Sequence, residues 1–235
     1  MTRVAGADGT LGGWAVVIVE AGRSYIRKVA ALSDVLDGAA DFDILAVDVP
    51  IGLLDAYEPG GRACDRAARK LLGRPRASSV FPAPVRPVLD AISWDDACVR
   101  SRASAHHGKA ISKQTWNILD KIKEVDELLQ TRPDLRGVVR EVHPEVCFSE
   151  LVGEPMTHRK ASIRGREERR QALIRTFPNL HVIERTGRDQ GVPIEDILDA
   201  TVACWSALRL AVGQGRSLPD VVPLDTTGLP NGNLG

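Results

Sequence analysis

Acidic side chains at the ends of predicted strands are the residues of this sequence best suited to chemistry. Asp8 follows the strand-like run Val4-Ala5-Gly6-Ala7, and Asp48 ends the continuous apolar run Ile44-Leu45-Ala46-Val47. A carboxylate at the end of a buried strand is costly to desolvate unless it is paired or bound to a metal. In a sheet where these two strands are neighbours, we expect the two carboxylates to converge.

A second pair of acids lies near the start of the last predicted helix. Asp196 and Asp199 are three residues apart, which places both carboxylates on one face of a helix. Glu141, inside the predicted strand at 138–142, is a fifth candidate. Each acid alone also has a structural explanation: a turn residue for Asp8, a helix N-terminal residue for Asp196, and an edge-strand ion pair for Glu141.

Converging carboxylates repel one another, so such a group takes up a proton or binds a cation. Hard oxygen ligands favour Mg²⁺ or Mn²⁺. Two such ions about 4 Å apart can hold a phosphodiester, activate the attacking water and stabilise the leaving oxygen. We therefore predict a divalent-metal-dependent nuclease. Its predicted metal ligands are Asp8, Asp48, Asp196 and Asp199, and these four together with Glu141 are the predicted catalytic residues.

The formal net charge of zero hides two strongly basic segments. The 235-residue chain has 31 Lys and Arg against 31 Asp and Glu. Residues 62–113 contain 11 basic and 4 acidic residues, and residues 158–176 contain 7 and 2. Such runs are typical of solvated helix faces, and equally of a surface that follows a phosphate backbone.

The predicted partner is therefore a nucleic acid, DNA or RNA, which no motif in the sequence distinguishes. Arginine suits phosphate because its guanidinium can donate two parallel hydrogen bonds. The predicted substrate-binding residues are Arg66, Arg69, Arg166 and Arg169 from the basic segments, with the polar residues Ser112, Gln114, Lys121 and Lys123.

The pattern of predicted elements indicates the fold that must position these residues. Three hairpin-linked strands precede the apolar strand at 44–48, and a later strand at 138–142 is followed by a basic helix (164–177), a short strand (His181–Glu184) and a long helix (194–212). Local strands followed by strand–helix alternation predict an α/β fold with a mixed sheet flanked by helices. This is the order of the ribonuclease H-like architecture. We predict one domain over 1–235, with a helical and proline-rich insertion at about 53–137.

Several segments resemble domain-of-unknown-function family 429, a set of predicted ribonuclease H-like nucleases. They follow one another along nearly the whole chain: Asp8–Trp14, Val47–Leu53, Cys64–Arg69, Ser78–Pro84, Lys121–Asp126, Glu141–Glu145, Asp196–Ala200 and Asp225–Leu229. The wider superfamily includes Holliday-junction resolvases, which carry one acid on the first strand, one on the fourth and an Asp-x-x-Asp pair on the last helix. The resemblance implies these roles for Asp8, Asp48, Asp196 and Asp199, and gives Glu141 no counterpart.

Two other functions stay open at this point. Phosphate-handling enzymes of the actin and sugar-kinase type also begin with an Asp-Gly strand turn, for which Asp8-Gly9-Thr10 and Gly12-Gly13 would serve as the phosphate loop. A non-catalytic nucleic-acid-binding or protein-binding module could keep the same fold.

The sequence also predicts a cytoplasmic protein without a membrane segment. No apolar run approaches the length needed to span a bilayer, and Met1-Thr2-Arg3 leads into a strand rather than a signal peptide. The four cysteines are far apart in sequence, which favours a reducing compartment over a zinc site. The oligomeric state is left open, a homodimer included.

Overall fold

A computed structural model of the protein describes residues 2–36 and 42–234. The chain forms two compact units. The first comprises Met1–Asp48, Asp134–Arg216 and Leu234–Gly235, and the second comprises Val49–Pro133 and Ser217–Asn233. The insertion predicted at about 53–137 covers most of the second unit.

A five-stranded mixed sheet is the centre of the first unit. Its strands are β1 (Arg3–Thr10), β2 (Gly13–Glu20), β3 (Arg23–Val29), β4 (Ile44–Val47) and β5 (Val139–Glu141), in the order β3-β2-β1-β4-β5. The first three strands pair antiparallel, whereas β1, β4 and β5 run parallel. Two further short strands, β6 (Ser217–Leu218) and β7 (Asn233–Leu234), pair with each other. The predicted α/β, ribonuclease H-like fold is confirmed.

Helices occupy much of the remaining described chain. They are α1 (Ser33–Leu36), α2 (Ala63–Arg76), α3 (Trp94–Ala103), α4 (Lys113–Asn117), α5 (Leu119–Thr131), α6 (Pro144–Val152), α7 (Ile163–Leu173), α8 (Leu180–Asp189) and α9 (Ile194–Ala211). Within the described ranges, no helix has the length and apolar character required to cross a membrane.

One face of the sheet packs against α9. Residues opposite each other on paired strands share a face, so the pairs Val4–Val19, Val4–Ile44 and Gly6–Ala46 define it. Val4 and Ala46 belong to the same buried cluster as Ala200, Ala203 and other residues of α9. This packing explains the apolar character of the long helix and fixes it over β1.

The strand predicted at His181–Glu184 is wrong, because these residues lie within α8. The buried residues of that helix, Leu180, Ile183, Glu184 and Gly187, recur every three to four positions, as they do on one helix face. A four-residue apolar run does not distinguish a strand from part of a helix.

An ion-pair network stabilises the second unit around Arg86. Its Nη1 lies 2.8 Å from Asp126 Oδ2, and its Nη2 donates to Asp225. The Asp225 carboxylate also accepts from the backbone N–H groups of Leu53 and Leu229, each at 2.9 Å. These contacts tie the returning segment 217–233 to the helical insertion.

Candidate metal centre

The strand register places Asp8 and Asp48 side by side on the face that packs against α9. The parallel pairing of β1 with β4 ends at Ala7 and Val47, and the Asp48 N–H continues it by donating to the Ala7 carbonyl at 3.0 Å. Asp8 is therefore the neighbour of Asp48 across the two strands. It lies inside β1, opposite Ala15 of the hairpin, rather than at the strand end as predicted.

Gly6 brings α9 directly onto β1. A Cβ atom at Gly6 would lie 2.0 Å from the backbone nitrogen of Cys204 and 2.4 Å from the carbonyl oxygen of Ala200. Only glycine permits this approach, which leaves Asp199, the residue before Ala200, beside the strand that carries Asp8.

Three carboxylates consequently meet at one point. An oxygen of Asp8, one of Asp48 and one of Asp199 all lie within 4.8 Å of one another. Asp199 is 1% exposed and Asp8 is 8% exposed, while Asp48 is half-buried. The Oδ1 atom of Asp199 is buried without a hydrogen-bond partner. An unpartnered buried carboxylate oxygen is the kind of atom that a cation would satisfy.

Burial and the charges of neighbouring acids raise the pKa values of Asp8 and Asp48. Burial, and then the charge of Asp199, raises the pKa of Asp48 to about 7. Burial and the charges of Asp48 and Asp199 raise the pKa of Asp8 well above its usual range. At neutral pH, such a group carries protons unless a cation takes their place.

Lys160 supplies a positive charge to this cluster, although its residue type and spacing predict no such role in the sequence. It lies between α6 and α7, and its Nζ is 2.6 Å from Asp199 Oδ2. The neighbouring Asp199 and Asp8 carboxylates raise the pKa of the ammonium. Half of the Lys160 side chain is exposed, so the cluster of three carboxylates is open to solvent on the side of Lys160. Only its place within the basic segment pointed to it in the sequence.

Asp196 and Arg166 lie at the edge of the same group. Asp196 is half-buried one turn before Asp199, and burial together with the Asp199 charge raises its pKa. It lies outside the three-carboxylate cluster. Arg166 of α7 pairs with Glu195, the residue before Asp196, at 3.3 Å.

Glu141 does not lie with the carboxylates of Asp8, Asp48 and Asp199. It is paired in register with Val47, so it extends from the opposite face of the sheet to Asp48. It is buried, at 5% exposure. The backbone pairing that aligns Asp8 with Asp48 therefore separates Glu141 from both.

Arg169 is a buried structural residue, which corrects its predicted role in binding substrate. Its side chain is 1% exposed and forms an ion pair with Glu145 at the start of α6. Its guanidinium also donates to the carbonyl oxygens of His158 and Gly165, and it lies 5.2 Å from the centre of the Phe148 ring. These contacts leave the guanidinium shielded from solvent and hold α7 against α6.

The other predicted substrate-binding residues belong to the second unit. Arg66 donates to the Gly61 carbonyl, and Arg69 donates to Val80 and Gly60. Ser112 caps α4 by accepting from the Thr115 N–H. Gln114 is exposed. The two lysines form ion pairs: Lys121 with Glu124, and Lys123 with Asp90 and Glu127.

Comparison with known proteins gives a family and no named relative. A family model described as "Protein of unknown function (DUF429)" matches residues 6–223. No curated protein and no solved structure matches the chain.

Proposed function

Since the chain belongs to DUF429, a family of unknown function, we propose from the geometry of its own residues that it is a divalent-metal-dependent nuclease that hydrolyses phosphodiester bonds of DNA or RNA. The observation that carries this proposal is the convergence of Asp8, Asp48 and Asp199 within 4.8 Å. The ribonuclease H-like sheet provides the frame for these acids.

The donor set fits Mg²⁺ or Mn²⁺, which prefer carboxylate and water oxygens. Asp8, Asp48 and Asp199 would hold the metal, and the unpartnered Oδ1 of Asp199 supports this assignment. Asp196 would contribute from the edge as the fourth ligand of a two-metal site. Bound ions of this kind act as Lewis acids on a phosphoryl oxygen and lower the pKa of a bound water.

The remaining charged residues suit a polyanionic substrate. Lys160 is half-exposed beside Asp199, and Arg166 lies near the start of α9. Both side chains can donate to phosphate oxygens that approach the carboxylates. Arg164, an exposed residue of the basic segment at 158–176, supplies further positive charge for a nucleic acid.

The packing of Gly13 removes one argument for the actin or sugar-kinase alternative. A Cβ at Gly13 would lie 1.9 Å from the Val29 carbonyl oxygen, so glycine is needed there for the packing of β2 against β3. The same glycine therefore has a structural explanation that requires no phosphate.

The test is cleavage by the purified full chain on single-stranded, duplex and branched DNA and on RNA. We expect products with Mg²⁺ or Mn²⁺ and none with chelator. Asp48→Asn should reduce the rate at least about a hundredfold, the scale of losing a group that stabilises transition-state charge. The control is Asp189→Asn, which removes an exposed carboxylate at the end of α8.

Three results would contradict the proposal. If Asp48→Asn cleaves as fast as the wild type, the metal-site assignment is wrong. Nucleic-acid binding that survives chelator, without cleavage, would favour the binding module. Stabilisation by ATP with Mg²⁺, again without cleavage, would favour the kinase-like enzyme.

The proposal includes a cytoplasmic location. The four cysteines, all in the described part of the chain, are buried and form no disulfide, which agrees with a protein that works under reducing conditions.

A further inference from the structure

Lys160 belongs to a segment that is built into the fold. The Glu168 carboxylate of α7 accepts from the backbone N–H groups of Thr157 and His158, at 2.7 and 2.9 Å. Arg169 donates to the His158 carbonyl at 3.2 Å. These contacts fix the backbone just before Lys160, so its position beside the carboxylates is set by α7.

The Lys160 ammonium lies against one of the acids that would bind a cation. Its Nζ lies 2.6 Å from Oδ2 of Asp199, and its charge also acts on Asp8 and Asp48. A divalent ion held by these three acids would compete with the ammonium for Asp199 and would repel it. Because half of the Lys160 side chain is exposed, it can move into solvent without the backbone changing.

We propose that Lys160 is the counter-ion of the Asp8, Asp48 and Asp199 carboxylates in the metal-free protein, and that its ammonium leaves Asp199 when a divalent cation binds. This inference rests on the proposed metal site. Lys160 offsets part of the negative charge of the acids in the metal-free protein and weakens the apparent affinity for metal. After exchange, the released ammonium remains beside the site, where it can contact a phosphate oxygen of the substrate.

The direct test is the affinity of the full chain for Mn²⁺, measured by titration calorimetry at constant ionic strength near 0.15 M, where exposed charges are screened within about 8 Å. Lys160→Met should bind Mn²⁺ about tenfold more tightly than the wild type, which corresponds to about 1.4 kcal/mol. Lys160→Arg keeps the charge and should stay within about twofold. Arg159→Met removes another exposed charge one residue earlier and should also stay within about twofold.

Equal or weaker Mn²⁺ binding by Lys160→Met would overturn the inference while leaving the metal site intact. If neither the wild type nor Lys160→Met binds Mn²⁺, both the inference and the proposed function fail. Binding by Lys160→Met alone would support the inference most strongly.

A second measurement uses the unaltered protein, so it does not depend on a variant folding. Reductive methylation of lysines, read by mass spectrometry, should modify Lys160 several-fold faster with saturating Mn²⁺ than with chelator. Lys109, an exposed lysine in a different segment of the chain, provides the reference rate of methylation. An unchanged rate at Lys160 with metal bound would mean that the ammonium stays on Asp199.

Discussion

Asp48→Asn should stabilise the metal-free protein at alkaline pH and destabilise it relative to the wild type when metal is bound. Burial and the Asp199 charge raise the pKa of Asp48 from its ordinary 3.8 to about 7. Between these two values the folded protein holds a proton that the unfolded chain has released. Stability therefore falls as pH rises through this window, and the loss is complete above about pH 7. Asparagine carries no charge and avoids this loss.

The size of this stability change follows from the shift in the pKa of Asp48. About three pKa units at 1.36 kcal/mol each give an upper bound of about 4 kcal/mol. The actual cost is smaller because Asp48 titrates together with Asp8, whose pKa is also raised. We therefore expect Asp48→Asn to gain about 2 kcal/mol in unfolding free energy at pH 8 in chelator, and less than half as much at pH 5.

Urea unfolding of both proteins at pH 5 and pH 8, with chelator and with Mn²⁺, measures all four conditions. A ligand at a hundred times its dissociation constant stabilises the folded state by about 2.7 kcal/mol. The wild type should gain this in Mn²⁺ and become the more stable protein, because Asp48→Asn lacks one ligand. The reasoning fails if Asp48→Asn is the less stable protein in chelator at pH 8, or if Mn²⁺ stabilises both proteins equally.

Two other substitutions test how the fold builds the site. Gly6→Ala should lower the unfolding free energy by about 3 kcal/mol or more and abolish Mn²⁺ binding, because the new Cβ would lie 2.0 Å from the Cys204 nitrogen and push α9 away. Urea unfolding measures the loss, and Gly137→Ala, where the space is open, is the control. Arg169→Met should cost about 3–5 kcal/mol by leaving the Glu145 carboxylate buried and unpaired. Adding Glu145→Gln should recover part of that loss, and a fully stable Arg169→Met would contradict the buried ion pair.

The convergence of the acids was predictable because it depends on strand order. A carboxylate after the apolar strand at 44–47 and another on the first strand become neighbours once β4 pairs parallel with β1. The spacing of Asp196 and Asp199 likewise predicted a shared helix face. The sequence could not separate their roles, because burial of Asp199 and half-exposure of Asp196 depend on how closely α9 approaches Gly6.

The contributions of Lys160, Glu145 and Arg169 were not predictable from residue type. Lysine and arginine in a basic segment most often lie on a solvated surface. One arginine of that segment is instead 1% exposed, and the lysine contacts an acid 39 positions away. Such pairings depend on the packing of α6, α7 and α9, which no local spacing encodes. Glu141 was misplaced for a related reason, since only the register of β5 decides which face a strand residue occupies.

Charge balance links the resident lysine to the number of ions that the site could hold. Asp8, Asp48 and Asp199 carry three negative charges when ionised, which one divalent cation would neutralise together with the Lys160 ammonium if it remains beside the site after leaving Asp199. With Asp196 included, the four carboxylates carry four negative charges, which two divalent ions alone would balance. A second ion would therefore give a neutral site only if the Lys160 ammonium moves away. Displacement of Lys160 is therefore the step that would allow a two-metal arrangement without excess positive charge in a buried site.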